Sequence, residues 1–138
     1  MEDKQEPSAQ AEPPKDKEVV IVDVAEDVEK AKLVHTKVFT ITWKNRENGV
    51  VKTGTFTATR PGLGTLGKIG VLRAKLNGGL PVDQMTDSNH SMMADLHHVL
   101  TDFPDWWRPD EFFTAAPLWE VWSHVNSWLA TFRPRNPG

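Results

Sequence analysis

The chain has no cysteine among its 138 residues and no long apolar run. Without cysteine it forms neither a disulfide scaffold nor a thiolate zinc site, and it has no cysteine nucleophile. The N-terminus lacks the basic start and the apolar stretch of a cleaved signal peptide. No apolar run approaches the ~20 residues of a membrane-spanning helix. We therefore expect a soluble cytoplasmic protein that has no membrane partner.

Charge is distributed unevenly along the chain. Residues 1–34 carry ten acidic residues and five lysines, whereas residues 35–138 carry nine acidic and eleven basic residues. A nucleic-acid-binding domain usually concentrates Lys and Arg on one surface to neutralise phosphates. The nearly balanced C-terminal part lacks such a concentration, so we expect no nucleic-acid partner.

The N-terminal part divides into two segments. Residues 1–18 have no large apolar side chain after Met1. Too little surface can be buried there to offset the entropy of ordering, so we predict a disordered acidic arm. The mostly β-branched run Val19–Val24 predicts an edge strand or, alternatively, a segment that pairs with a partner's sheet. Residues 19–35 are thus assigned to an edge strand and linker, and residues 36–133 to one compact domain.

The compact domain begins with a predicted β-hairpin. Polar and apolar side chains alternate from Thr36 to Thr42, which is the pattern of a half-buried strand. Asn48-Gly49 then supplies a turn whose backbone tolerates positive φ. The Thr-rich run Val50–Thr59 returns as the second strand of the hairpin.

A first helix is predicted after the hairpin. We expect Thr65 to cap it and Asn77-Gly78-Gly79 to end it. Gly67 and Gly70 lie in its interior, where glycine is unfavourable, so we expect them to permit close packing against another backbone. Four positions of this helix recur at helical spacing: Leu66, Ile69, Leu72 (or Arg73) and Leu76.

Two further helices complete the prediction. The second is capped by Thr86 or Asp87 and ends before Pro104, and its core face is expected to hold Met92 or Met93, Leu96, Val99 or Leu100, and Phe103. The third is capped by Thr114, with Pro117 in its first turn, and its inward face is expected to hold Leu118, Trp122, Val125, Leu129 and Phe132. The order of elements predicts an α+β fold in which a small antiparallel β-hairpin sheet packs against three α-helices.

Residue types that catalyse reactions or bind metals are present without a recognised spacing. The serines lack the nucleophile elbow, and the glycines near Lys68 match neither the P-loop nor the dinucleotide-binding fingerprint. Four histidines would cluster if the last two helices packed antiparallel, but their spacing is not that of a zinc motif: His90, His97, His98 and His124. We therefore expect no enzyme, no metal, no cofactor and no small-molecule substrate.

The last third of the chain is unusually aromatic for one small core. Trp122 and Phe132 fit the inward face of the third helix, but the remaining rings exceed what that face can bury. Large aromatic residues anchor protein interfaces, and arginine beside them can stack or pair with a carboxylate. Core packing and partner contact remain open for these rings. The predicted partner-binding residues are Trp106, Trp107, Arg108, Phe112, Phe113, Trp119 and Trp128.

The order of several motifs resembles a family of small proteins encoded among the tail genes of tailed bacteriophages. The motifs are a β-segment ending at residues 56–61, the glycine-rich run 64–70, the segment 72–82 and the Phe103–Trp107 stretch before a closing helix. Members of this family are described as tail assembly chaperones or minor tail proteins. The resemblance covers roughly residues 38–130 and differs by the acidic arm and the early end after the third helix.

The resemblance implies a non-enzymatic chaperone or adaptor that binds other phage tail or virion proteins, such as the tape-measure protein. Its implied location is the host cytoplasm during assembly. Two alternatives remain open at this point. One is a structural tail or neck component that is retained in the virion, and the other is a phage inhibitor of a host protein. Self-association into a homo-oligomer is compatible with each.

Overall fold

The computed structural model describes residues 18–24 and 35–132. The predicted disordered arm therefore lies outside the described residues, except for Glu18, as does most of the predicted linker. The elements, in chain order, are strands β1 (Val19–Asp23), β2 (Thr36–Lys44) and β3 (Val51–Thr59), helices α1 (Leu63–Leu76) and α2 (Gln84–Val99), strand β4 (Leu100–Asp102), a short 3₁₀ turn (Pro109–Glu111) and helix α3 (Ala116–Ala130). The predicted α+β class is confirmed.

The four strands form one antiparallel sheet in the order β1-β2-β3-β4. The hairpin prediction is confirmed, since β2 and β3 pair along their full lengths and Phe39 lies opposite Phe56. Gly49 closes the turn with a φ of 74°, and its N–H donates to the carbonyl of Asn45 at 2.7 Å. The edge-strand prediction is also confirmed, because β1 pairs with β2.

One face of the sheet forms the core with α2 and α3. Phe39 and Phe56 are completely buried at the centre of this face, with their rings stacked at 5.6 Å. Helix α1 packs on α2 as an outer layer, and none of its residues is buried. The buried residues of the core are Val19, Phe39, Ile41, Phe56, Ala58, Met92, Leu96, Val99, Leu100, Trp107, Leu118, Val121 and Val125.

The opposite face of the sheet carries mainly threonine and valine, together with Lys44 at the end of β2, and we call twelve of its threonine and valine residues the threonine face. Its residues alternate in register with the buried residues of β2 and β3. The hydroxyls of Thr59 and Thr101 are 3.0 Å apart across β3 and β4. The face consists of Val20, Val22, Val24, Thr36, Val38, Thr40, Thr42, Thr53, Thr55, Thr57, Thr59 and Thr101.

The start of α1 differs from the prediction. The helix begins one turn earlier, with Gly62 as its N-cap and no side-chain cap, so the predicted Thr65 cap is wrong. Close packing at Gly67 and Gly70 is also wrong, because nothing lies within 4 Å of a Cβ placed at either glycine. The predicted end is confirmed by Asn77 at the C-cap and by positive φ at the two glycines that follow it.

Helix α2 is capped by Asp83 and not by Thr86 or Asp87. The Asp83 carboxylate accepts a hydrogen bond from the Thr86 backbone N–H at 3.1 Å, and the Thr86 hydroxyl donates to it at 2.6 Å. The helix ends at Val99 because the chain continues as β4, which pairs with β3. Phe103 consequently lies outside the core and is 45% exposed.

Helix α3 begins after Ala115 without a side-chain cap, so the predicted Thr114 cap is wrong, whereas Pro117 is in the first turn as predicted. Its buried residues are Pro117, Leu118, Val121 and Val125. The buried face is therefore rotated from the predicted one. Val121 takes a central place that the prediction gave to Trp122, and Trp122 and Leu129 are only partly buried against the core.

Candidate functional site

Trp107 belongs to the core and is not the partner contact that the sequence predicted. Its side chain is 6% exposed and meets the rings of Phe56 at 5.4 Å and Phe112 at 5.2 Å, both edge to face. The reason is a close approach between Pro104 and Gly54: a Cβ on Gly54 would lie 2.5 Å from Cγ of Pro104. Because Gly54 has no side chain, residues 104–107 can pack onto the sheet, and this places Trp107 in the core.

Trp106 and Phe112 also pack mainly within the protein. The Trp106 indole lies 5.7 Å from the Phe56 ring, and its Nε1 donates to the backbone carbonyl of Thr53 at 3.4 Å. Phe112 lies 4.9 Å from the Trp43 ring. Each is partly buried against the core. Their remaining exposure is at the rim of a mixed polar and aromatic pocket near the hairpin turn.

Of the other four predicted binding residues, Arg108 and Phe113 line the same pocket as Trp106 and Phe112, and Trp119 and Trp128 lie elsewhere. Phe113 is 89% exposed and Trp119 is 53% exposed, so both present large apolar surfaces to solvent. Arg108 is exposed and lies 3.9 Å from the Glu111 carboxylate. Trp128 is partly buried and meets the Phe132 ring edge to face at 5.3 Å. The structure therefore leaves Trp107, Trp119 and Trp128 apart but brings four of the seven predicted residues to one pocket near the hairpin turn: Trp106, Arg108, Phe112 and Phe113.

Helix α1 and the loop after it carry an apolar surface that the sequence prediction assigned to the core or overlooked. Leu63 is 88% exposed and Met85, at the start of α2, is 74% exposed. Five exposed large apolar side chains lie on α1 or on the loop after it, and we call them the α1 surface: Leu63, Leu66, Val71, Leu80 and Val82. The signal in the sequence was the set of glycines within the helix, which reduce its stability and at which an added Cβ would meet no atom of another element within 4 Å.

Polar contacts, rather than a buried face, hold α1 on α2. The Arg73 guanidinium pairs with the Asp87 carboxylate, and the Asn77 amide donates to the same carboxylate at 2.9 Å. His90 Nδ1 lies 2.7 Å from the amide oxygen of Asn77. The hydrogen bonds from Arg73 and then Asn77 lower the pKa of Asp87 to about 2. This network fixes the position of α1 together with the partly buried Ile69, while Leu63 remains in solvent.

A groove of about 430 Å³ lies between α1, α2 and α3, and we call it the three-helix groove. Its polar groups are engaged near the rim: Trp122 Nε1 donates to Asp95 at 2.9 Å, and the Arg60 guanidinium lies 4.4 Å from the centre of the Phe132 ring. Its apolar lining comes from all three helices and comprises Leu66, Ile69, Leu96, Val99, Trp122, Val125, Leu129 and Phe132. Leu66 belongs to both this groove and the α1 surface, so the two are continuous.

The histidines of the described chain do not form a metal-ligand cluster. Within residues 18–24 and 35–132, no group of three or more His, Cys, Asp or Glu side chains could hold a metal ion. His97 and His98 are neighbouring rings at 4.9 Å, and burial, together with the charges of His97 and Lys68, lowers the pKa of His98. His124 instead joins α3 to β1 through Asp23, at 2.8 Å.

No helix in the described part of the chain is long and apolar enough to cross a membrane. The arrangement that remains is the exposed α1 surface and the three-helix groove, which share Leu66. Surfaces of this kind bind apolar side chains of another protein. Comparison of the chain with protein-family models, with curated proteins and with solved structures found no match.

Proposed function

We propose that this protein is a non-enzymatic assembly chaperone or adaptor of a phage tail, which binds an apolar helix of another tail protein such as the tape measure. The observation that carries the proposal is the exposed α1 surface beside the three-helix groove. The resemblance in sequence supports it independently, because residues 64–70 and 72–82 of the family-like motifs lie in α1 and the loop after it.

The binding mode that fits this surface is a helix in a groove. Helix α1 has 14 residues and is therefore about 21 Å long, which matches roughly four turns of a partner helix. Such a partner would insert side chains at positions i, i+3 or i+4, and i+7. Leu66 and Ile69 would contact one side of the inserted residues, and Trp122 and Leu129 the other.

The surface also suits a partner that is later released. Each fully exposed large apolar side chain contributes about 1.5–3 kcal/mol when it becomes buried, and the entropy of association offsets much of that gain. Few charged side chains line the groove, so binding would depend on apolar contact more than on a specific sequence. A chaperone requires that combination, because it must cover apolar helices during assembly and then yield them to other subunits.

Titration of the purified chain with the tape-measure protein of the same phage tests the proposal. We expect Leu63→Ser combined with Leu66→Ser to weaken binding by at least about tenfold, because both side chains are exposed, Leu66 lines the groove and Leu63 is its neighbour one turn earlier in α1. Circular dichroism should show an unchanged fold, since neither side chain is buried.

Val51→Ser is the matched control, because Val51 is 56% exposed and lies in the hairpin, away from α1. Its binding should equal that of the unaltered chain. Equal binding by the double variant, or no binding by the unaltered chain, would contradict the proposed function. Mass spectrometry of purified virions distinguishes a transient chaperone from a retained structural component, because only the latter would be abundant there.

A further inference from the structure

The two edges of the sheet differ in how they are protected against pairing with another strand. Strand β4 has three residues, its pairing with β3 contains a register shift, and it ends in the charged Asp102. Short edge strands, bulges and charged residues are features by which proteins prevent edge-to-edge pairing. Strand β1 has five residues, and residues 19–22 include neither a charged residue nor a proline. Of these two edges, β1 is therefore the one open to a further strand.

The backbone of β1 indicates what can cover this edge. The carbonyl of Glu18, just before β1, accepts a hydrogen bond from the Lys44 N–H at 2.8 Å. Residues of an antiparallel strand point their backbone groups alternately to either side, so the N–H and C=O groups of Val19, Ile21 and Asp23 point away from β2. Within residues 18–24 and 35–132, no strand pairs with this side of β1. Donors and acceptors repeated at every second residue are the groups with which an added strand pairs.

We propose that β1 pairs in antiparallel orientation with β1 of a second copy of this chain, so that the two four-stranded sheets join into one. A two-fold axis at Ile21 places this residue opposite its own copy and places Val19 opposite Asp23. In this register, every outward N–H and C=O group of the two strands has a partner. The two Asp23 carboxylates lie at opposite ends of the contact, about 14 Å apart, where salt screens their repulsion.

The helical layer also favours a second copy as the partner. Helix α3 lies on the β1 side of the layer, since His124 Nε2 is 2.8 Å from the Asp23 carboxylate. The two-fold axis is perpendicular to the sheet, so the helices of both copies lie on the same side of it. Two helices about 10 Å apart are as wide as four strands about 4.8 Å apart, so the two copies of α3 would meet at a packing distance. A strand without a helical layer would leave this side of α3 uncovered.

The small size of the contact predicts a weak dimer. One pair of five-residue strands and one pair of helices lie at the low end of the range of specific interfaces. We expect a dissociation constant of about 10–100 µM. Sedimentation equilibrium of the full-length chain from about 10 µM to about 1 mM tests the inference. The mass should rise with concentration towards twice the 15.5 kDa of one chain.

Ile21→Pro removes a hydrogen-bond donor that β2 does not use. Proline has no N–H, and edge strands tolerate it where the N–H faces outward. The variant should raise the dissociation constant of the dimer at least about tenfold, because the central pair of hydrogen bonds is lost. Ile21→Ala is the matched control, since it also shortens the side chain but keeps the N–H, and it should raise the constant less than about threefold. Circular dichroism checks the fold of both variants.

Disulfide formation tests the register and does not depend on the proline variant. In the proposed pairing, Val20 of one copy lies opposite Val22 of the other, with Cα atoms about 4.5 Å apart, which a disulfide can bridge. Because the chain has no cysteine, Val20→Cys and Val22→Cys each introduce a single thiol. The two variants are mixed in equal amounts, one of them labelled with ¹⁵N, and oxidised with glutathione. Mass spectrometry should find the mixed dimer well above the half that random pairing gives.

Three results would each overturn the inference. The first is an unaltered chain that remains monomeric at about 1 mM, even where another protein binds β1. The second is an equal dissociation constant for folded Ile21→Pro and Ile21→Ala, and the third is a random mixture of disulfide-linked dimers. None of these results depends on whether α1 binds a tail protein.

Discussion

At the scale of single residues, two aromatic side chains six positions apart have opposite environments. Trp107 is 6% exposed and contacts Phe56 and Phe112, whereas Phe113 is 89% exposed. Both were predicted as partner contacts from composition. The difference arises because Pro104 packs against Gly54 and directs residues 104–107 toward the core. Phe113 comes later in the chain, where the backbone no longer packs on the sheet. The residue type alone therefore does not predict whether a large aromatic side chain binds a partner. Its role depends on what the neighbouring backbone contacts.

Replacement of these two residues by alanine should have very different effects on stability. Trp107→Ala would leave a cavity in the core and should lower the free energy of unfolding by about 3–5 kcal/mol. Phe113→Ala should change it by less than about 0.5 kcal/mol, because the ring is almost fully in solvent. Urea denaturation of both variants measures the difference. Similar losses in the two variants would contradict the assignment of Trp107 to the core.

At the scale of elements, α1 differs from the other two helices. Helices α2 and α3 each bury four residues against the sheet, whereas α1 buries none. Polar contacts to Asp87 hold α1 in place, and a Cβ placed at its glycines 64, 67 and 70 would meet no atom of another element within 4 Å. A helix that retains unfavourable glycines and exposed leucines contributes little to the stability of the domain. This composition is the reason for which we propose α1 as a binding element.

Alanine at two of these glycines should stabilise the helix. Gly67→Ala and Gly70→Ala should each raise the free energy of unfolding by about 0.5–1 kcal/mol, since the added methyl groups meet no atom and the helix loses less entropy on folding. Gly54→Ala is the informative contrast, because its methyl would overlap the Pro104 ring and should destabilise the protein by about 1–3 kcal/mol. Thermal melting with circular dichroism measures all three variants. Destabilisation by both helix substitutions would show that α1 packs more tightly than described.

At the scale of the whole molecule, three aspartates have lowered pKa values, and each of them either joins two secondary-structure elements or caps a helix. Hydrogen bonds from Arg73 and Asn77 lower the pKa of Asp87 to about 2, which joins α1 to α2. The Thr86 hydroxyl and backbone N–H lower the pKa of Asp83 at the start of α2. At Asp23, burial alone would raise the pKa, but hydrogen bonds from Lys37 and His124 lower it, and this contact joins β1 to β2 and α3.

Stability should therefore decrease in acid below about pH 4. An aspartate titrates near 3.9 in the unfolded chain, so a lowered folded-state pKa stabilises the protein fully above that value. That stabilisation is lost as the pH falls through the range between about 4 and the folded pKa, which for Asp87 is about 2. Urea midpoints at pH 5, 4, 3 and 2 measure the loss, and 1 M salt should reduce it because the groups are largely exposed.

The Asp87→Asn variant separates the contribution of the contact between α1 and α2 to the pH dependence of stability from the contributions of Asp83 and Asp23. The variant should show a smaller decrease between pH 4 and pH 2, because one of the three carboxylates no longer titrates. Amide hydrogen exchange should also be faster in α1 than in α3, since the ion pair with Arg73 has been removed. An identical pH dependence in the variant and the unaltered chain would contradict the role given to Asp87.

The amino-acid sequence by itself determined the α+β class, the hairpin with its Asn48-Gly49 turn, and the end of α1 at Asn77, because these depend on alternation, turn residues and backbone conformations within a short stretch. Only the tertiary structure decided which apolar face becomes the core. Periodicity states which residues share a face of α1 or α3, but not whether another element covers that face. The sheet covered Val121 and Trp107, and nothing in the described chain covered Leu63 or Leu80. A local sequence pattern does not show whether another element will cover a side chain. Leu63 and Leu80 are exposed because no element of the described chain covers them.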